Sequence, residues 1–295
     1  MGQATSWQVR PLSEADIPRV LEISAGIWEG YDYVPQVIER WLHEEDGEVL
    51  GAFQEGTLVS FGHTLRLFPD LAWMEGLRSD PTRQGQGAGR ALAEGALERA
   101  RCQGYKEAAF STYIENLASI HINESLGFVR TAVFVFAEVG EDGPLPGLVW
   151  PEAVVPSDEE IEAFLAGSQA FTSSAGWLAE GWRFFPFARD HVRALSHHPW
   201  RLGIRSGGRL SALLLASRGH EDISIDFLEG DAEVMNRLVL DLVTRLPAGA
   251  RLEASLPSGG DLAASLQAVR GAGLVTNHGD QPDLFVYCKD LSQEP

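Results

Sequence analysis

The run Gln84-Gly85-Gln86-Gly87-Ala88-Gly89 holds three alternate glycines, with Pro81-Thr82-Arg83 before it and Arg90-Ala91-Leu92 after it. It lies between an apolar segment with the pattern of a strand and an Ala/Leu-rich segment with the pattern of a helix. Glycine permits a tight turn and leaves backbone N–H groups open to a ligand. The first N–H groups of a helix lack partners and attract phosphate. Together these features predict a cradle for a diphosphate, with a plain tight connection as the competing reading. Two better-known cradles are excluded. A dinucleotide-binding turn reads Gly-x-Gly-x-x-Gly with an acidic residue roughly 20 positions on, and a P-loop needs Gly-Lys-Ser/Thr. This chain has neither.

Gln84-x-x-Gly87-x-Gly89 resembles the acetyl-CoA loop of the GNAT superfamily of N-acetyltransferases. Val9-Arg10-Pro11-Leu12 with Asp16 looks like that family's first strand and helix start. Asn116, Ser119 and Leu126-Gly127-Phe128 look like its second cofactor motif, so the resemblance covers residues 6–139. It implies acetyl-CoA as co-substrate, held by Gln84, Gly85, Gln86, Gly87, Ala88, Gly89 and Arg90 together with Asn116 and Ser119. It also implies that the pantetheine arm pairs with the backbone of Leu77, Arg78 and Ser79, where an N–H faces the acetyl oxygen. The loop Trp28–Tyr33 would roof the acceptor site, with Glu29, Tyr31 and Asp32 meeting a cationic acceptor, because aromatic rings and carboxylates suit a cation. The competing reading makes Trp28 and Tyr33 core anchors that hold the helix pair, Trp28 above all.

Acetyl transfer to an amine needs a neutral amine, a stabilised oxyanion and a proton for the leaving thiolate. Glu75 is the candidate base. Strict alternation along its strand puts Glu75, Leu77 and Ser79 on one face unless a bulge intervenes. The alternative is a strand carboxylate turned to solvent or paired with an arginine. Asn116, Ser119 and Asn123 share a helical face. The family usually carries tyrosine seven residues after the Asn, and Asn123 stands there instead. An amide can hydrogen-bond a thiolate but has no useful acidic proton. Water, the departing ammonium or Tyr113 would then supply the proton. Cys102 falls in the helix after the glycine loop, which argues against an acetyl-cysteine route and for direct attack.

The elements that must position these residues can be read around them. Trp7–Leu12 predicts a strand, Ser13-x-x-Asp16 a helix start, and Pro35–His43 a second helix. Glu48–Phe53 and Thr57–Phe68 predict a hairpin, and Leu71–Ser79 the strand feeding the glycine turn. Ala88–Gln103 reads as a helix, Glu107–Thr112 as a strand, Leu117–Leu126 as a helix capped by Asn116 and Phe128–Val139 as closing strand. Gly, Pro and acidic residues then crowd together from Gly140 to Pro156.

Beyond that segment Leu50-Gly51-x4-Gly56-x-Leu58 recurs as Leu202-Gly203-x4-Gly208-x-Leu210, and a matching strand–helix–strand–helix series follows. The expected fold is therefore α/β, two tandem GNAT-like domains, each a mixed, mostly antiparallel sheet flanked by helices. Residues 1–140 form the domain with the acetyl-CoA loop, 141–156 a linker, and 157–295 a degenerate copy. In that copy Glu229-Gly230-Asp231 replaces the cradle, and two carboxylates there repel a diphosphate. The aromatics Trp182, Phe184, Phe185, Phe187 and Trp200 are expected to pack a helix on the second sheet.

The formal net charge of −19 repels a phosphate backbone, so nucleic acid is not an expected partner. A small-molecule or peptide amine is. Apolar residues make up 44% of the 295, enough for a core, with no run of membrane-spanning length and no signal-peptide pattern. A cytoplasmic protein without a membrane partner is expected. His197-His198 lack partners at ligand spacing, so no metal is expected. Pairing of the two domains within the chain is anticipated, and a homo-oligomer is compatible with the reading. The second functional reading is an acyl-CoA-binding sensor or scaffold without turnover.

Overall fold

A computed structural model describes residues 6–140, 143–219, 222–247 and 249–292, with Glu29 described by its backbone only. The chain divides into two units. The first holds Met1–Phe110, Asn116–Val129 and Tyr287–Pro295, and the second holds Ser111–Glu115 and Arg130–Val286.

In the first unit β1 (Gln8–Pro11) leads to α1 (Ile17–Ala25). The junction is tied by Asp16, which accepts from the Ser13 N–H at 2.9 Å and from both Arg10 Nη atoms at 2.9 and 3.0 Å. These bonds hold the Asp16 carboxyl below the usual range, the Arg10 bond above all. In α2 (Val34–His43) the buried residues Val34, Val37, Ile38 and Trp41 recur at helical spacing. They pack with Val20 and Ile23 of α1 into one apolar cluster. Next come β2 (Gly47–Gln54), β3 (Thr57–Phe68) and β4 (Leu71–Ser79), an antiparallel meander with β1 against β2. A helix, α3 (Ala88–Cys102), then crosses to β5 (Glu107–Tyr113), which runs parallel to β4. A Cβ on Gly95 would stand 2.7 Å from Val9 Cγ1, so glycine lets α3 lie close on β1. After α4 (Leu117–Ser125) the chain enters β6 (Val129–Val139). The C-terminal residues of this unit return to it: Tyr287 stacks on Phe110 at 5.2 Å, and the Leu291 N–H donates to the Lys106 carbonyl at 2.7 Å.

The second unit takes in β6 from Arg130 on and continues with α5 (Asp158–Gly167) and α6 (Gln169–Ser173). The aromatic segment expected to pack a helix folds instead as an antiparallel hairpin of β7 (Trp177–Glu180) and β8 (Arg183–Pro186). Alternation explains it, since Phe184 and Phe185 point to opposite faces of a strand and both are buried. A short α7 (His191–Ser196) follows. Then β9 (Trp200–Ser206), β10 (Arg209–Arg218) and β11 (Asp222–Glu229) form an antiparallel meander. After it, α8 (Ala232–Arg245) crosses to β12 (Arg251–Pro257), parallel to β11. This repeats the order and directions of β2, β3, β4, α3 and β5. The unit ends with α9 (Leu262–Arg270), β13 (Leu274–Val275) and β14 (Leu284–Asp290), whose last residues count with the first unit. The Gly/Pro-rich segment after β6 is docked: the Leu148 N–H donates to Leu240 O at 3.1 Å, on α8. Among the described residues no helix is long and apolar enough to cross a membrane.

Candidate functional site

The glycine turn has the backbone that its composition predicts. Gly85 and Gly87 sit at φ +76° and +90°, a region that side chains disfavour. A Cβ on Gly85 would meet nothing within 4 Å, and one on Gly87 only Trp7 Nε1 at 3.8 Å. Both would project into open space before α3. The first intrahelical bond runs from the Ala91 N–H to Gly87 O, at 2.9 Å. The N–H groups of Ala88, Gly89 and Arg90 precede it and lack a helical partner. Gln84 and Gln86 lie in the same exposed turn. Upstream, Asp80 anchors the turn by accepting from the Thr82 N–H and hydroxyl at 2.8 and 2.6 Å and pairing with Arg19. Burial pushes its carboxyl up, but these bonds outweigh that and hold it below the usual range. Open space, unpartnered N–H groups and the helix dipole suit a diphosphate.

Beside the turn, β4 and β5 pair from Leu71↔Glu107 to Trp73↔Ala109, and β4 runs on to Ser79 beyond that ladder. Its backbone at Leu77, Arg78 and Ser79 lies in this extension. Phe61 pairs with Arg78 and His63 with Glu75, so Gly62 faces both Gly76 and Leu77. The extra residue is a β-bulge, with Gly76 at φ +66°. Strict alternation therefore fails here, and Glu75 and Leu77 leave the strand on opposite faces. Leu77 packs with Leu50 and Leu92 on the α3 side. Ser79 Oγ would be 3.3 Å from a Cβ on Gly89, so the end of β4 meets the start of α3.

Glu75 points to the other face. Its Oε1 lies 3.1 Å from Nδ1 of His63, a fully buried side chain. Farther along that face, Arg78 donates to both oxygens of Asp32, at 2.9 and 3.1 Å, with side chains only 11% and 1% exposed. Trp28 lies over the guanidinium at 4.4 Å and Tyr33 at 5.3 Å. The loop between α1 and α2 is thus pinned to β4. The Asp32 carboxylate, assigned by sequence to a cationic acceptor, is neutralised within the protein. Tyr31 is 86% exposed, and the Glu29 side chain lies outside the described residues. Trp28 adopts φ +44° and is 60% exposed, which suits a contact residue better than a core anchor.

On α4, Asn116 Oδ1 accepts from the Ser119 N–H at 3.3 Å and caps the helix. Asn123 is buried, and its amide nitrogen donates to Ser119 O and Oγ at 2.9 and 3.3 Å. Arg90 bridges α3 to α4 through Ser125 Oγ at 3.0 Å. The residues of β4, α3 and α4 that the sequence assigns to the cofactor are therefore brought together. Glu75 and Arg78 stand on the opposite face of β4 with the α1–α2 loop. Sequence reasoning passed over His63, Trp41 and Glu44, although a histidine within the apolar run of β3 was a visible signal.

In the second unit the turn before α8 is acidic. Asp231 caps the helix through the Glu233 N–H at 3.1 Å, and Glu229 pairs with the Ser168 hydroxyl. One N–H of that helix end is thus met by a carboxylate. Tyr113 donates its phenol to Asp283 at 3.1 Å, and burial first, then that carboxylate, push its acidity well below normal. Among the described residues no cluster of His, Cys, Asp and Glu could hold a metal.

A model of the acetyltransferase (GNAT) family matches residues 17–128. A histidine N-acetyltransferase from Xenopus tropicalis is 32% identical over 84 residues, which are 27% of this chain and 25% of that protein. The match thus spans a quarter of that relative's length. A GCN5-related N-acetyltransferase from Sphaerobacter thermophilus has a similar fold over 97% of this chain and 96% of its own, with a TM-score of 0.60 and 13% identity. Residues 17–128 of this chain are a domain of the acetyltransferase (GNAT) family.

Proposed function

We propose that this chain transfers an acetyl group from acetyl-CoA to a small-molecule or peptide amine by direct attack. The observation that carries the reading is the positive-φ pair Gly85 and Gly87 opening onto the bare N-terminus of α3. Gln84 to Arg90 would bind the diphosphate, with Asn116 and Ser119 alongside. The extension of β4 at Leu77, Arg78 and Ser79 would orient the pantetheine arm. On the other face Glu75 takes a proton from the acceptor ammonium. The freed nitrogen lone pair attacks the thioester carbonyl, the carbon–sulfur bond breaks, and the thiolate takes a proton from water or the departing ammonium. Tyr31 and Trp28 supply the exposed aromatic surface for the acceptor, with Glu29 in the same loop.

The second unit, in this reading, is a degenerate copy that binds no coenzyme, because Glu229 and Asp231 stand at the α8 turn. Cytoplasmic residence accords with an intracellular acyl donor.

A second reading has its own observation. Asn123 replaces the usual tyrosine and turns its amide hydrogens to Ser119, which favours an acyl-CoA-binding sensor without turnover. One assay separates the two. Wild-type protein is incubated with acetyl-CoA and a panel of amines that includes free histidine, polyamines, aminoglycosides and peptides with free N-termini. Release of CoA with formation of the acetylated amine supports the enzyme. Coenzyme binding without release from any amine overturns it in favour of the sensor.

A further inference from the structure

His63 lies between two carboxylates. Its Nδ1 is 3.1 Å from Glu75 Oε1, and its Nε2 is 3.5 Å from Glu44 Oε2, at the end of α2. The side chain has no exposure, Glu75 has 17% and Glu44 has 32%. The imidazole stacks on Trp41 at 4.5 Å and 12°. Trp41 is itself wedged against the bulge, where a Cβ on Gly76 would stand 2.5 Å from its ring. The ring plane is thereby set, and the bulge that turns Glu75 to this face also sets the ring that meets it.

Packing alone explains an aromatic at position 63. It does not explain a polar ring buried with each nitrogen toward a carboxylate, since phenylalanine would stack on Trp41 without desolvating two nitrogens. The 3.1 Å contact to Glu75 is within hydrogen-bonding range, and the 3.5 Å contact to Glu44 is long and leaves Nε2 without a hydrogen-bond partner. The stronger bond faces the candidate base.

We infer that His63 is a positioning residue, whose Nδ1–H holds the Glu75 carboxylate in the orientation needed to receive the acceptor's proton. The inference rests on the reading of Glu75 as base. A carboxylate that accepts one fixed N–H is held in a set orientation, which is how a supporting residue orders a base.

Two substitutions divide the roles. Asparagine can place an amide N–H near the position of Nδ1, while phenylalanine keeps the stack and removes both nitrogens. His63→Asn should keep turnover within a few-fold of wild type. His63→Phe should lower kcat at least tenfold with the KM for acetyl-CoA unchanged. Equal turnover in wild type and His63→Phe overturns the inference, as does a His63→Asn loss as large as that of His63→Phe. A readout independent of activity is 15N-histidine NMR of the coenzyme-free chain. It should show hydrogen on His63 Nδ1, with a resonance displaced by Glu75→Gln. An Nδ1 without hydrogen, or unmoved by Glu75→Gln, also overturns it. If the bond is seen but wild type acetylates no amine, the proposed function fails instead, and this role falls with it.

Discussion

Gly76→Ala separates a strained backbone from a filled space, and the structure supplies its own control. Gly76 and Gly56 both adopt positive φ, +66° and +76°. A Cβ on Gly56 meets nothing within 4 Å, whereas one on Gly76 meets Trp41 Cη2 at 2.5 Å and Cζ3 at 2.9 Å. Alanine in the left-handed region costs about 1–2 kcal/mol at either site. The gain from a stiffer unfolded chain, about 0.4–1 kcal/mol, is also common to both. What remains in the difference is the clash. Trp41 is buried between Val34, Val37 and Ile38, stacks on His63 and meets Tyr33 edge-on at 6.0 Å, so its ring cannot swing aside freely. Overpacking of this kind costs about 1–3 kcal/mol. Urea unfolding followed by tryptophan fluorescence should therefore place Gly76→Ala about 1–3 kcal/mol below Gly56→Ala. Turnover should fall as His63 and Glu75 are displaced, while acetyl-CoA binding holds. Equal stabilities for the two variants, within about 0.5 kcal/mol, would refute the bulge and its wedge.

Two further outcomes are expected. Glu75→Gln should keep coenzyme affinity and lower turnover by roughly 10²-fold, the scale of general base catalysis, with the loss shrinking as pH rises and free amine accumulates; Asn123→Ala should cost much less. In the second unit Glu253 faces Ser224 on β11 and Glu138 on β6. Burial, then Asp222, Asp226 and Glu138, push its carboxyl from 4.5 to about 8. Folding therefore holds a proton that the unfolded chain has lost, and stability falls as pH rises between those values, by at most about 1.4 kcal/mol per pH unit. Glu253→Gln should flatten that slope in urea midpoints measured from about pH 5 to pH 8, and an unchanged slope would show that another group carries it. His198 has the same sign, because burial lowers its pKa but Asp226 and two carbonyls outweigh that and raise it.

The parts legible in the sequence were those with local causes. Gly85, Gly87 and the Asn116 cap declare themselves because backbone freedom and capping depend on neighbouring residues. The repeat Leu202-Gly203-x4-Gly208-x-Leu210 marked β9 and β10 for the same reason, since a hairpin is a local structure. What stayed hidden depends on contact across strands. The bulge at Gly76 exists only relative to Gly62 on β3, so alternation along β4 could not reveal which face Glu75 takes. Asp32 and Arg78 lie 46 positions apart, and their bidentate pairing needs the α1–α2 loop to fold onto β4. The hairpin of β7 and β8 has only four residues per strand, too few for alternation to stand out from an aromatic cluster.

The glycine turn of residues 84–89 should hold acetyl-CoA, once per chain. Calorimetric titration of the full chain with acetyl-CoA tests it most directly. One molecule should bind per chain, and folded Gly87→Val should show an affinity at least tenfold lower, about 1.4 kcal/mol, because a branched side chain would occupy the open space before α3. Absence of binding, two molecules per chain, or undiminished affinity in folded Gly87→Val would contradict it.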